Sequence, residues 1–172
     1  MEALLGWIYP KYVSDNEKPV FAKNLSEKFE SRWSTALVPK SKSIMLKGME
    51  GSVLPVWSDH GEGRVFADES VLKKLKEDGL VSLLYADNAG NETQDYPFNP
   101  NGSPLAISGF VSPDGRHTTT MFHPERVVRL WQYAYLPAHM QDLEAAPWLK
   151  MFQNAREWCD ETWLKIKIND KR

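Results

Sequence analysis

Three short polar clusters in this 172-residue sequence combine side chains that can move protons with residues that turn the chain. The sharpest is His123-Pro124-Glu125-Arg126, directly behind the stretch ending at Met121-Phe122. A histidine and a carboxylate two positions apart across a proline can face the same side of a turn. The carboxylate then holds the imidazole in one tautomer and supports the imidazolium that forms when the ring takes a proton. That is two parts of a nucleophile, base and orienter set. On spacing alone, a plainer reading stays ahead: His123 ends a strand, and Glu125 favours the start of the next helix through its dipole.

The second cluster is Ser58-Asp59-His60-Gly61-Glu62-Gly63. Its two glycines suit a turn that lines a ligand, and equally a purely structural turn. His60 and Glu62 could join His123 around a cation, but the spacing matches no known metal site, and no metal is expected. The third cluster, Asn99-Pro100-Asn101-Gly102-Ser103-Pro104, is turn-forming throughout and reads as a tight loop. His117 is expected to be exposed beside a turn, and His139 sits in a proline-bounded loop with no chemistry around it. The one cysteine, Cys159, falls on a helical stripe with Trp148, Phe152, Ala155 and Trp163. It is therefore expected as inert buried packing, not as a nucleophile.

The elements that must carry these clusters alternate between two periods. Strands are expected over 34–38, 52–57 and 64–67. A helix then starts at an Asp68 cap, carries Val71, Leu72 and Leu75 on one face, and closes at Gly79. A buried strand is expected over 81–86, followed by turn chemistry at Asn88-Ala89-Gly90-Asn91. Residues 107–111 and 117–122 flank Ser112-Pro113-Asp114-Gly115, a strong hairpin signal. A helix-like stretch runs from Pro124 to Trp131, and the last helix starts behind Pro147. Residues 11–30 read as a connecting loop, and Ala3-Leu4-Leu5-Gly6 as the end of a helix that begins further upstream. The pattern is mixed α/β within one domain spanning 1–172.

Composition excludes several classes. The net charge of −2 gives no electrostatic case for nucleic acid. No apolar run approaches the ~20 residues of a membrane span, and the start lacks a secretory pattern. A single cysteine removes any internal disulfide or cysteine-cluster zinc site, so a cytoplasmic protein is expected. Seven tryptophans are unusual, with Trp7, Trp33 and Trp57 expected in the core.

In order along the chain, several motifs resemble one family. They are Asn24-Leu25-Ser26 with Phe29-Glu30-Ser31-Arg32-Trp33, Leu46-Lys47-Gly48-Met49-Glu50-Gly51, Leu54-Pro55-Val56-Trp57-Ser58, and His60-Gly61-Glu62-Gly63. Then come Tyr96-Pro97, the 99–104 cluster, Asp114-Gly115-Arg116, His123-Pro124-Glu125-Arg126, and Trp148-Leu149 with Phe152 and Asn154-Ala155-Arg156. The set is similar to the C-terminal glutaminase domain of phosphoribosylformylglycinamidine synthase, the large single-chain form, over most of the chain. The resemblance implies a flavodoxin-like class I glutamine amidotransferase fold of the α/β class. It implies His123 as general base and Glu125 as its orienter, acting with a cysteine on a strand-to-helix elbow. It further implies glutamine as substrate and ammonia passed to a synthase region of the same polypeptide. There ATP and Mg²⁺ serve amidine formation in purine biosynthesis, while this chain itself is expected to hold no cofactor.

The sequence also departs from the family pattern. The elbow, with its oxyanion-hole amide, falls before Met1. The domain is therefore expected to be incomplete at its N-terminus, and the isolated chain inactive. Phe122 replaces a usual proline and Ala106 a usual glycine. Two other readings stay open: a non-catalytic homologue serving as an interaction module, and a hydrolase pairing Cys159 with His123. The second would need a helix-face residue to reach the motif.

Overall fold

The computed structural model describes residues 8–169, so the expected helix end at 3–6 and the placement of Trp7 lie outside the described residues. Among them the chain runs through β1 (Val20–Lys23), β2 (Glu30–Leu37), β3 (Val53–His60), β4 (Glu62–Phe66), α1 (Glu69–Glu77), β5 (Leu84–Ala86) and α2 (Leu149–Asn169). The fold is α/β, with two small sheets. β1 pairs antiparallel with β4, and β2 lies between β3 and β5 with both pairings antiparallel.

On β3 the side chains of Leu54, Val56, Ser58 and His60 are buried while Trp57 and Asp59 on the other face are half-buried, the period of two that a strand imposes. In register, Trp33 stands opposite Trp57 and Glu30 opposite His60. The ladder reaches back to Glu30, four residues earlier than the apolar pattern indicates, because its early residues pair with the polar end of β3. β1 likewise lies in a segment that reads as loop; its four residues gain order from β4, a partner forty residues away in sequence that local pattern cannot reveal.

Helix α1 forms where its apolar stripe and closing glycine place it, although the Asp68 side chain makes no capping hydrogen bond. Asp68 precedes it in extended backbone, Leu72 and Leu75 are buried, and Gly79 adopts φ +71° just beyond the end. The hairpin turn at 112–115 also forms, with Gly115 at φ +76° and the Ser112 N–H donating to the His117 carbonyl at 2.8 Å. Its arms make single bridges instead of ladders, because each distributes its few bonds among several neighbours: Val111 with Thr118, Phe110 with Val81, Ile107 with Leu84, Phe122 with Ser58.

Two helical expectations are corrected. The stretch after Pro124 is a pair of 3-10 turns, Pro124–Arg126 and Leu130–Gln132, since Val127 leaves helical backbone at φ −143°. The last helix does form, but it docks through Trp148, Met151 and Asn154, leaving Phe152, Cys159 and Trp163 exposed. Asn154 decides that face: its amide donates to the carbonyls of Met45 and Lys47 at 2.9 and 2.7 Å. Trp148 is fully buried and its indole N–H donates to the Pro55 carbonyl of β3 at 2.9 Å. Trp33 and Trp57 pack partly buried against the core.

Candidate active site

The chain leaves Phe122 beside β3, bridged to Ser58, and the His123 N–H donates to the Trp57 carbonyl at 2.9 Å. This anchors the backbone of His123 to the strand. Pro124 then sets the first dihedral of a 3-10 turn, and the turn brings Glu125 back beneath the ring. His123 Nδ1 and Glu125 Oε1 lie 2.6 Å apart. The carboxylate occupies Nδ1, so Nε2 is the ring nitrogen available for proton exchange. Both side chains are solvent-accessible.

The second cluster contributes a different residue from those the sequence emphasised. Asp59, on the outer face of β3, forms an ion pair with Arg126 at 2.5 Å, and the guanidinium sits 5.6 Å from the Trp57 ring centroid. The hydrogen bond from Arg126 holds the Asp59 carboxyl below the usual carboxylate range, with the positive potential of His123 contributing. Trp57 also donates from its indole to the Gln132 carbonyl at 3.4 Å, so the segment after the turn is tied to the same strand. Complementary charges in two clusters were the available sequence signal for this pairing.

His60 faces the opposite, buried side. It is 8% exposed and its Nε2 lies 3.2 Å from the Tyr85 hydroxyl. Desolvation lowers its pKa below the usual imidazole value, so it is neutral packing, not a partner of Glu62, which is exposed. Among the described residues no three His, Cys, Asp or Glu side chains gather as a ligand set. The glycines now separate in role. A Cβ on Gly63 would lie 2.8 Å from the His60 ring, whereas one on Gly61 would meet only ordinary contact.

Tyr85 and the third cluster were missed as site supports. The Asn101 amide donates to the Tyr85 hydroxyl at 2.8 Å and to the Gly63 carbonyl at 2.7 Å, while its oxygen accepts from Ser103. Asn99, Asn101 and Ser103 are all buried, so this tight loop is a buried polar clamp between β4 and β5. The Tyr85 ring meets Phe122 edge-on at 4.7 Å, and burial pushes its hydroxyl pKa up. Phe122 is therefore turned inward, into the core. His117 is half-buried, His139 is exposed on a short turn, and Cys159 lies on the exposed side of α2.

Comparison with known proteins adds what the geometry cannot. The model of the CobB/CobQ-like glutamine amidotransferase domain matches residues 1–159. A probable phosphoribosylformylglycinamidine synthase, chloroplastic/mitochondrial, of Arabidopsis thaliana is 50% identical over 165 residues, covering 92% of this chain and 12% of that protein. The phosphoribosylformylglycinamidine synthase of Homo sapiens is 45% identical over 171 residues, covering 92% and 13%. The chain thus spans about an eighth of the length of the curated relatives it matches. The structure of PurLQS from Thermotoga maritima shares the fold over 83% of this chain and 53% of its own, with TM-score 0.55 at 21% identity. A paired histidine and carboxylate are common to many folds, but a family match running from residue 1 through the far side of that pair is not, and the chain belongs to the CobB/CobQ-like glutamine amidotransferase domain family.

Proposed function

We propose that these 172 residues are part of one glutaminase domain, of flavodoxin-like class I type, in a phosphoribosylformylglycinamidine synthase. The observation that carries the reading is the 2.6 Å contact between His123 Nδ1 and Glu125 Oε1 in a chain 42–50% identical to such synthases. In this reading a cysteine thiol from sequence outside these residues meets His123 Nε2. The ring takes the thiol proton, and the thiolate attacks the glutamine amide carbon. His123, as imidazolium supported by Glu125, returns the proton to the departing ammonia. Water, deprotonated by the same ring, then cleaves the thioester to glutamate and regenerates the thiol. The ammonia serves a synthase region of the same polypeptide, where the ATP and Mg²⁺ sites belong. The residues here fit neither group: no phosphate-cradling glycine loop and, among the described residues, no cluster of acidic ligands is available.

Trp131 and Tyr135, 80% and 70% exposed on the segment just after the site, support a contact with that synthase region. No helix among the described residues is long and apolar enough to cross a membrane. We propose the cytoplasm as the compartment, supported by the lone cysteine, while the Arabidopsis relative bears an organellar designation. Localisation of the tagged full-length protein tests this.

The catalytic test uses the longer polypeptide carrying this chain. His123→Ala lowers glutamine hydrolysis by about 10³-fold and Glu125→Gln by about 10²-fold or more, while synthesis from added ammonium persists. Cys159→Ser leaves the rate unchanged, and the 172-residue chain alone releases no glutamate. Turnover by that chain, abolished by Cys159→Ser, would make Cys159 the nucleophile and overturn the reading.

A further inference from the structure

Asp59 and Arg126 are separated by 67 residues, yet they form the one ion pair among the described residues that links β3 to the turn bearing His123 and Glu125. The turn is only three residues long. Its own bonds are Arg126 N–H to the His123 carbonyl at 3.1 Å and Val127 N–H to the Pro124 carbonyl at 3.2 Å. A 3-10 turn of that length has little intrinsic stability, so its orientation must be set from outside. The backbone contact from His123 to Trp57 fixes one end; Arg126, paired with Asp59 and lying over the Trp57 ring, fixes the other.

We infer that Asp59 and Arg126 are positioning residues, a charge-balanced latch that holds the His123–Glu125 turn against β3 and leaves Glu125 as the carboxylate engaged with the imidazole. The inference rests on His123 being the base of the proposed glutaminase. The argument is electrostatic as well as steric. The charged and titratable groups within electrostatic reach of His123 are Glu125 and Arg126 on its own turn, Asp59 on the same face of β3, and His60, whose ring lies on the buried face of that strand. Asp59 is close enough to His123 to feel its charge. Unpaired, it would compete with Glu125 for the imidazolium, and an unpaired Arg126 would repel it. Paired, the two cancel, and the ring answers to Glu125.

The pair is partly exposed, with the Asp59 and Arg126 side chains at 26% and 46% relative accessibility, so its role is read through His123 instead of through stability. The imidazole titration midpoint of His123, followed by NMR in the 172-residue chain, discriminates a latch from mere packing. Asp59→Asn leaves Arg126 uncompensated and lowers the midpoint, Arg126→Gln leaves Asp59 uncompensated and raises it, each by about half a pH unit. The double variant is charge-balanced but unlatched, and in it the His123 amide loses exchange protection as it does in both single variants. Midpoints that move in the same direction, or not at all, overturn the inference.

A variant that fails to fold does not remove the test. In the unsubstituted chain, acid that protonates Asp59 exposes the His123 amide to exchange before the amides of β2; simultaneous exposure contradicts the latch. In the longer polypeptide, both single variants lower kcat about tenfold with KM for glutamine unchanged, the mark of a misplaced base and not of lost substrate contacts. Absence of glutamine hydrolysis in the parent polypeptide would refute the functional reading alone, since the NMR titration decides the latch without any turnover.

Discussion

Ala106 is held at φ +57°, directly after Leu105 at φ +52°, in the left-handed region where a Cβ crowds the following carbonyl. It is fully buried, in the turn that follows the Asn101 clamp and enters the segment carrying Phe110. Replacement by glycine removes the steric strain but also the buried methyl, so the net gain is about 0.5–1 kcal/mol. A higher urea midpoint for Ala106→Gly at unchanged slope is the expected result; a lower one would mean that the methyl matters more than the backbone. At the same scale, the contact between His123 and Glu125 was foreseeable because two residues apart is a local relation. Tyr85 was not. Its value lies in meeting His60, Asn101 and Phe122 at once, and nothing in a short apolar run marks one aromatic for that.

Among the elements, α2 is held to the body through few polar contacts, and Asn154 is the chief of them. Removing its amide leaves two loop carbonyls, of Met45 and Lys47, without their donor. Asn154→Ala should cost about 2 kcal/mol, near 6 °C in Tm for a chain of this size. Calorimetry measures it, and a change under 1 °C would show that water replaces the amide freely. The helix itself was legible from its period and its proline, and α1 from its stripe and closing glycine. What the pattern misplaced was the docking face of α2. Trp148 is buried as expected, but Phe152 and Trp163 were assigned inward by hydrophobicity, whereas a buried asparagine took the position that closes the loop beneath it. The β1 strand and the early part of β2 escaped for a related reason: their order is conferred by partners distant in sequence.

For the molecule as a whole, the neutral His60 sets a pH dependence. Desolvation depresses its pKa in the fold below the ordinary 6.5. The unfolded chain therefore binds a proton that the folded chain resists. The stabilisation is fully present above pH 6.5 and is lost as pH falls from there through the depressed folded value. Urea midpoints should decline from about pH 7.5 to about pH 5.5, and less steeply in His60→Gln; equal slopes would place the proton uptake elsewhere. The family and its α/β class were legible in the order of motifs, because that order is a property of sequence. The antiparallel pairing of β2 with β3 and β5 was not, because pairing is decided in space. That pairing also brings the Trp33 and Trp57 indoles to 5.0 Å at an interplanar angle of 65°, with Tyr133 at 5.3 Å from Trp33 and Arg126 over Trp57. Two indoles so close couple their excited states, and the guanidinium above one of them makes its emission sensitive to where the turn lies. The protein thus carries its own optical reporter at the site, readable by circular dichroism and fluorescence without any attached dye.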